Sequence, residues 1–199
     1  MIKKIAILSF LVFTLSNAAD AQEKIFNINW NIGIPMGDTK DFLSNEDISF
    51  GGMSFEFRQF VKSNISIGGY FAWDFYNGSS EEDIVMGNTT LSGSQRMYIN
   101  SLPFMINAHY YMGESTGFRP YIGVGLGAVR TLERTEVGTF LIQNNNWQFG
   151  YYPEVGFMIP VTYSTNINFG AKYNLALESN DAFAHSALTF NVGVSIINF

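Results

Sequence analysis

Apolar residues occupy every second position in eight separate stretches of the chain, and this alternation restricts the fold more than any other feature. In the first stretch Phe26, Ile28 and Trp30 alternate with Asn27 and Asn29. Successive side chains of a β-strand point to opposite faces, so each stretch predicts a strand with one apolar and one polar face. After residue 21 the sequence has no run of about 18 apolar residues, which a membrane-spanning helix would need.

Eight strands are predicted from these stretches. Their alternating residues lie within 26–36, 53–61, 65–75, 97–111, 122–128, 147–161, 167–177 and 188–196. In the fourth stretch the apolar positions change parity between Met97 and Leu102, and a bulge near Pro103 would reconcile the two halves. Pro153 predicts a second bulge, because a closed barrel has no edge strand to tolerate the missing N–H donor.

Short and long connections alternate along the chain. The short turns are 62–64, 113–117 and 162–165, and the long polar loops are 38–47, 77–93, 131–146 and 178–185. Bacterial outer-membrane barrels have this arrangement, with the long loops outside the cell. The sequence therefore predicts an all-β fold, namely an eight-stranded antiparallel up-and-down transmembrane β-barrel with both termini on the periplasmic side.

The bulky apolar face is predicted to contact lipid. The interior of an eight-stranded barrel is only just wide enough for side chains to fill it, and the apolar face carries too many aromatic residues to fit there. Charged residues make up 14% of the chain, well below the usual quarter, so few charges surround these side chains. A soluble periplasmic barrel that binds a lipid inside is an alternative.

The N-terminus has the pattern of a secretory signal peptide. Two lysines precede the apolar run Ile5–Leu15, and Ala19-Asp20-Ala21 is a typical cleavage site. We expect a signal peptide at 1–21 and an outer-membrane β-barrel domain at 22–199. Cleavage would change the formal net charge from −6 to −7, which argues against a nucleic-acid partner. The chain has no cysteine, which excludes disulfides and thiolate chemistry.

Charged side chains are predicted inside the barrel. The expected polar network of the lumen comprises Glu56, Arg58, Asp74, His109, Glu154 and Lys172. Charges within a membrane-embedded protein are costly and are usually paired, so the network is interpreted as a salt-bridged plug or as a narrow path for ions or small solutes. Gly123, Gly125 and Gly127 alternate within the fifth strand and are expected to make room for large lumen residues such as Tyr152.

Two segments resemble those of a known family. The segment Arg119-Pro120-Tyr121-Ile122-Gly123-Val124-Gly125-Leu126-Gly127 resembles a strand common in the eight-stranded OmpA-like and OmpW-like outer-membrane barrels. The ending from Gly193 to Phe199 resembles the signal that the barrel-assembly machinery recognises. Phe199 and Ile197 have the opposite parity to the apolar residues of their strand, so either the strand end is bulged or the assigned parity is wrong there.

Aromatic residues near the strand ends are predicted to lie at the two membrane interfaces. Trp73 and Trp147 are near long loops, and Tyr110 and Tyr163 are near short turns. The long loops also carry acidic residues that could bind a surface ligand, or divalent cations that bridge lipopolysaccharide. These residues are Asp38, Asp41, Glu46, Asp47, Glu81, Glu82 and Asp83.

No catalytic residue, metal site or cofactor is predicted. His109 and His185 are too far apart in this topology to share a metal. His185 and Ser186, with Glu178 or Asp181, would be the base, nucleophile and orienting acid of an enzyme that modifies the acyl chains of lipid A. Adjacent residues of a strand face opposite ways, which weakens that alternative.

The expected function is therefore that of a non-enzymatic, monomeric outer-membrane barrel. Its role would lie in envelope integrity, surface interaction or narrow passage of small solutes. The expected partners are outer-membrane lipid or lipopolysaccharide, the barrel-assembly machinery and a surface ligand.

Overall fold

The computed structural model describes residues 23–44, 47–81, 84–86, 89–91, 93–114, 117–179 and 182–198. The expected signal peptide at 1–21 and the terminal Phe199 lie outside these ranges, so both stay predictions. The acidic residues Glu46, Glu82, Asp83 and Asp181 also lie outside them.

Antiparallel strands make up most of the described chain. They are β1 (Lys24–Met36), β2 (Ser49–Lys62), β3 (Ile65–Ser80), β4 (Ile84–Met86), β5 (Thr89–Leu91), β6 (Gln95–Tyr111), β7 (Arg119–Val137), β8 (Phe140–Pro160), β9 (Thr165–Ala176) and β10 (His185–Asn198), and a short helix α1 spans Asp38–Phe42. Eight of these strands close a barrel in the order β1-β10-β9-β8-β7-β6-β3-β2, while β4 and β5 form a separate pair. The predicted eight-stranded antiparallel barrel is confirmed.

The barrel strands are tilted because their pairing is sheared. A row of paired residues that leaves β1 at Phe26 returns to β1 at Met36, a displacement of ten residues in one circuit. Closed barrels of this kind have strand tilts of roughly 35–45°, and eight strands leave an interior that side chains can fill. We call the end with the connections 63–64, 112–118 and 161–164 the turn end, and the opposite end the loop end. Strand β1 begins at the turn end, and strand β10 finishes there.

Large apolar side chains cover the outside of the barrel, and polar side chains fill its inside. On β1, Ile28 and Trp30 are 42% and 52% exposed, whereas Asn27 and Asn29 are buried. The same alternation is present in β8 from Trp147 to Val155. The predicted orientation of the two faces is confirmed. It is the reverse of a soluble lipid-binding barrel, whose apolar face would line the cavity.

The bulges predicted at the two prolines were wrong. The β6–β7 ladder passes through Pro103, and the β7–β8 ladder passes through Pro153, with no change of register. On the other side of each proline, the β3–β6 and β8–β9 ladders skip two pairs and resume in the same register. The missing N–H donors are therefore accommodated by gaps in the pairing and not by inserted residues.

Strand β6 keeps one parity along its whole length. Met97 and Ile99 are buried inside the barrel, on the same face as Met105. The apparent change of parity arises because the inner face of β6 is itself apolar near the loop end. Register shifts occur instead at two other places: between Asn31 and Gly33 in the β1–β2 pairing, and between Phe60 and Lys62 in the β2–β3 pairing.

The predicted loop 131–146 is instead a continuous hairpin. Strands β7 and β8 stay paired as far as Val137 and Phe140, and Gly138 in the turn has a φ of 57° that suits glycine. Strand β3 also extends into the predicted loop 77–93, as far as Ser80, which pairs with Gln95 at the start of β6. Polar residues occur on both faces of the β7–β8 extension, so the alternation that identifies strands is absent from its sequence.

Helix α1 covers the mouth of the barrel at the loop end. Leu43, directly after the helix, is fully buried in an apolar cluster with Tyr76 and Ile99. Thr39 Oγ1 accepts a hydrogen bond of 2.9 Å from the Ser186 backbone N–H, which ties the helix to β10. Within the described ranges, no helix has the length and apolar character needed to cross a membrane.

Candidate functional site

Five of the six charged residues predicted inside the barrel meet near its middle. We call Glu56, Arg58, His109, Glu154 and Lys172 the central ionic cluster. Arg58 Nη2 lies 2.6 Å from Glu56 Oε2 and 3.4 Å from Glu154 Oε1, and these three side chains are fully buried. They come from β2 and β8, which lie on opposite sides of the barrel, so the cluster bridges the lumen.

The remaining two members complete the charge balance of the cluster. Lys172 Nζ lies 3.8 Å from Glu56 Oε2 and 3.7 Å from Glu154 Oε1, and it stacks over the Tyr70 ring at 4.0 Å. His109 Nε2 lies 3.0 Å from Glu154 Oε2. Two carboxylates thus face two permanent cations. Arg58 is paired and hydrogen-bonded, whereas Lys172 lies at ion-pair distance without a hydrogen bond, and this pairing offsets part of the cost of burying the charges.

Asp74, the sixth predicted residue, lies apart from the cluster. Its Oδ1 accepts a hydrogen bond of 2.9 Å from Asn31 Nδ2. A chain of polar contacts connects it to Glu154 through Asn31, Ser54, Asn29, Asn168 and Tyr121. One continuous chain of polar contacts therefore links Asp74 to the central ionic cluster.

Aromatic side chains close the lumen on both sides of the central ionic cluster. Towards the turn end, the Tyr111 ring lies 4.9 Å from Phe60 and 5.3 Å from Tyr121. Towards the loop end, the Tyr70 and Tyr152 rings pack edge to face at 5.3 Å. We call these two groups the lower and upper aromatic layers. All five rings are buried.

Glycines of β7 provide the space for these rings. A Cβ atom added to Gly125 would overlap the Tyr152 ring, and one added to Gly123 would overlap the His109 ring. A Cβ at Gly127 would overlap the backbone of Phe104. The prediction that the alternating glycines accommodate Tyr152 is confirmed at Gly125.

Arg119 is a lumen residue that the sequence interpretation missed. It is buried, its Nη1 lies 2.6 Å from Glu23 Oε1, and its Nη2 donates to the Ser63 carbonyl at 3.0 Å. Its guanidinium also lies over the rings of Phe60 and Tyr111 at 4.4 and 4.6 Å. Arg119 thus seals the turn end below the lower aromatic layer. Its odd position on β7, shared with the lumen glycines, could have indicated this.

A second polar group lies near the loop end. His185 Nε2 is 2.9 Å from Glu133 Oε1, and Gln148 Nε2 donates to the carbonyls of Leu177 and Phe183 at 3.0 and 2.7 Å. A cavity of about 40 Å³ lies beside His185 and is also lined by Asp74, Tyr76 and Met105. It has room for only a few water molecules.

The residues proposed for a lipid-modifying enzyme do not form a catalytic arrangement. His185 points inward to Glu133, whereas Ser186 Oγ donates to the Met36 carbonyl at 2.8 Å. The two side chains lie on opposite faces of β10, as expected for adjacent strand residues. Asp181 lies outside the described residues, and Glu178 makes no described contact with either side chain.

Three side chains of the central ionic cluster could approach a metal ion. One ligand atom each of Glu56, His109 and Glu154 lie within 4.8 Å of one another. Arg58 and Lys172 already contact the same carboxylates. A divalent cation would therefore have to compete with two buried cations, and the group does not fit a metal site.

The predicted interface aromatics all lie on the outside of the barrel. Trp73 and Trp147 are exposed towards the loop end, and Trp73 Nε1 donates to Asn100 Oδ1 at 3.0 Å. Tyr110 and Tyr163 are exposed towards the turn end. Their position at a membrane interface stays a prediction.

The end of β10 settles the question of parity. Ile197 is buried in the lower aromatic layer, and Ile196 is exposed on the outside. The pairing of β10 with β1 runs without a shift through Gly193 to Asn198. The strand is therefore not bulged up to that point, and Ile197 is an inward residue.

The acidic residues are only partly gathered at the loop end. Asp38 and Asp41 lie in the first turn of α1, and Asp47 forms an ion pair with Lys40 at 2.9 Å. Glu81 follows β3 directly.

Comparison with known proteins gives one family and a set of similar folds. The family model described as outer membrane protein beta-barrel domain matches residues 5–196. Ail of Yersinia pestis, solved with the heparin analogue sucrose octasulfate, has a TM-score of 0.55 at 10% identity, and the match covers 90% of this chain and 100% of Ail. Comparison with curated protein sequences found no match.

Two Pseudomonas aeruginosa structures are similar to the same extent. The N-terminal β-barrel domain of OprF has a TM-score of 0.53 at 11% identity and covers 89% of this chain and 100% of that domain. OprG has a TM-score of 0.54 at 15% identity and covers 89% of this chain and 96% of OprG. At these identities the structural likeness establishes the fold alone. With the family match and the outward apolar face, this chain belongs to the outer membrane protein beta-barrel family and is an integral outer-membrane barrel.

Proposed function

We propose that this protein is a non-enzymatic, non-conducting barrel that acts through its outer surface and as part of the envelope. The observation that carries the proposal is the central ionic cluster, in which Glu56, Arg58 and Glu154 are fully buried and join opposite walls of the lumen. Arg119 and helix α1 cover the two ends of the lumen. This favours a plug over the narrow path that the sequence also allowed.

The energy needed to open the lumen supports this choice. An ion in transit would have to separate Arg58 from its carboxylates, and breaking a buried ion pair costs about 3–5 kcal/mol. It would also have to displace two aromatic layers that are packed against the cluster. The cavity near the loop end holds only a few waters and does not bypass these layers.

Planar-bilayer recording tests the closed lumen. The purified, folded protein is expected to give a flat current trace. Folding is verified by heat-modifiable gel migration, and insertion is verified by protease cleavage from one side of the same membrane. Discrete conductance steps from inserted protein would contradict the proposal.

The outer surface is proposed to be the loop end, with both termini in the periplasm. The long connections and the β7–β8 hairpin support this orientation. The chain has no cysteine, so Thr139→Cys and Ser63→Cys introduce unique labels at the two ends. A membrane-impermeant maleimide is expected to label Thr139→Cys on intact cells and Ser63→Cys only after lysis. The opposite pattern would reverse the orientation.

The non-enzymatic part of the proposal rests on the separation of His185 from Ser186 on opposite faces of β10. Lipid A from cells that overproduce the protein is expected to give an unchanged mass spectrum. A gain or loss of an acyl chain would show that the protein is a lipid-modifying enzyme.

A further inference from the structure

Three of the five arginines in this acidic chain lie together on the outside of the barrel. Arg58 and Arg119 are buried in the lumen, whereas Arg96, Arg130 and Arg134 are all exposed. The formal net charge of the chain is −6, so cations are scarce on its surface. We call Arg96, Arg130 and Arg134 the arginine patch.

The pairing of β6 and β7 puts the three arginines on one outward face. Leu102 is opposite Arg130, Tyr98 is opposite Arg134, and Arg96 is opposite Glu136. Arg96 and Arg134 are diagonal neighbours, which places their Cβ atoms about 7–8 Å apart. Arg130 and Arg134 are separated by four residues along β7, which corresponds to roughly 13 Å.

The arginine patch begins where the apolar outer wall ends. Along β7 the outward residues Val124 and Leu126 are exposed and apolar, and Arg130 is the first charged outward residue beyond them. Arg130 is also paired with Trp147, one of the predicted interface aromatics. Aromatic residues concentrate at the boundary between lipid tails and headgroups, so the predicted interface position of Trp147 would place Arg130 at headgroup level and the other two arginines further out.

The arginine patch keeps a positive excess. Arg134 Nη2 forms a half-exposed ion pair with Glu136 Oε1 at 2.7 Å, and Arg130 Nε donates to a neutral oxygen, Asn145 Oδ1, at 3.1 Å. The acidic helix α1 follows β1, which is four strands away from β7 around the closed barrel. Glu81 lies two residues beyond Ser79, the β3 residue that pairs with Arg96. Three guanidinium groups beside the two carboxylates of Glu136 and Glu81 therefore leave a positive excess of one charge on this surface.

We propose that Arg96, Arg130 and Arg134 bind phosphate groups of phosphorylated glycolipids in the outer leaflet. Guanidinium groups bind phosphate through paired, charge-assisted hydrogen bonds, and lysine does so less specifically. A lipid is favoured over a soluble polyanion because the arginine patch starts at the lipid boundary. The proposal depends on the orientation proposed above but not on the closed lumen, so a conducting barrel would leave it standing.

The test measures lipid binding to the refolded protein in detergent micelles by native mass spectrometry. The probes are diphosphoryl lipid A and the same lipid with both phosphates removed. The wild-type protein is expected to bind the phosphorylated lipid with an affinity about tenfold higher than the dephosphorylated lipid. A tenfold difference in affinity corresponds to roughly 1.4 kcal/mol, which three exposed contacts can supply together. The variant Arg96→Gln/Arg130→Gln/Arg134→Gln is expected to lose that preference.

A matched control removes the same kind of charge elsewhere. Lys24→Gln/Lys62→Gln neutralises two exposed cations at the turn end and is expected to keep the full preference. Equal binding by the arginine variant and the wild type would overturn the proposal, and so would a wild type that does not distinguish the two lipids. Heparin fragments provide a further comparison. If the arginine variant loses heparin but keeps phosphorylated lipid, the patch is a glycan site and the lipid proposal is wrong.

A second variant covers the case in which the triple variant fails to fold. Arg130→Lys keeps the charge but removes the forked donor, and it is expected to lower the preference about threefold. The proposal would also be contradicted if two results occur together. In the first, Arg130→Lys keeps the full preference for the phosphorylated lipid, and in the second, the wild-type protein keeps that preference in high salt.

Discussion

Arg58 and Glu56 lie two residues apart on β2, and the Arg58 guanidinium is 2.6 Å from Glu56 Oε2 with both side chains fully buried. A spacing of two places both residues on the inner face of the strand. Glu154 then approaches the same guanidinium from the opposite wall, at 3.4 Å. A local ion pair is thereby extended into a bridge across the barrel, and its removal should affect the whole fold.

Arg58→Gln is predicted to destabilise the barrel by about 3–5 kcal/mol. The substitution leaves two buried carboxylates with Lys172 as their only permanent cation in the central ionic cluster, and an uncompensated buried charge costs that much. The measurement is urea-dependent unfolding in lipid vesicles, followed by tryptophan fluorescence. Lys62→Gln, at the exposed end of the same strand, is the control and is expected to change stability by less than about 0.5 kcal/mol. Equal effects of the two substitutions would mean that the cluster does not stabilise the barrel.

Gly125→Ala is predicted to destabilise the barrel by about 1–3 kcal/mol, because the new Cβ would overlap the Tyr152 ring. Gly69→Ala on β3 is a matched control, since the nearest atom to its added Cβ is the Met105 carbonyl oxygen at 3.8 Å. The same urea titration compares the two variants. If Gly125→Ala is as stable as Gly69→Ala, Tyr152 is not held against β7.

The alternation of residues predicted the strands, their faces and the buried charges because the inner or outer position of a side chain is set locally. Glu56 and Glu154 could be placed inside from their parity alone. The meeting of Glu154 with Arg58 could not be predicted, because contacts across the lumen depend on the shear of the whole barrel. The register emerges only when all eight strands are paired.

The hairpin of β7 and β8 was missed for a different physical reason. Beyond Thr131 the buried face of β7 carries the charged residue Glu133, and the first six residues of β8 are exposed on both faces, so the apolar–polar alternation that identifies strands is absent from the sequence there. Backbone pairing alone continues the ladder to Val137 and Phe140. Arg130 lies at the start of this extension, and Arg134 lies within it. Because the extension was predicted to be a loop, the arginine patch could be identified only from the structure.

Gln148→Ala is predicted to loosen the loop between β9 and β10 while leaving the barrel intact. Gln148 donates to the carbonyls of Leu177 and Phe183 and accepts a hydrogen bond from Thr131 Oγ1 at 2.9 Å. Each such bond contributes about 0.5–1.5 kcal/mol, so amide hydrogen exchange of 182–185 should accelerate at least about tenfold. Gln143→Ala, at an exposed position of the same strand, is expected to leave the exchange unchanged. Unaltered exchange in Gln148→Ala would show that other contacts hold the loop.

Arg119→Gln is predicted to destabilise the turn end by about 2–4 kcal/mol, because Arg119 is buried and contacts Glu23, the Ser63 carbonyl and two aromatic rings. A double-mutant cycle with Glu23→Gln separates the ion pair from the other contacts. Glu23 is less buried than Arg119, so Glu23→Gln alone should cost less, and the coupling energy between the two is expected to be at least about 1 kcal/mol. Purely additive effects in urea unfolding would mean that Arg119 stabilises the barrel through the Phe60 and Tyr111 rings and not through Glu23.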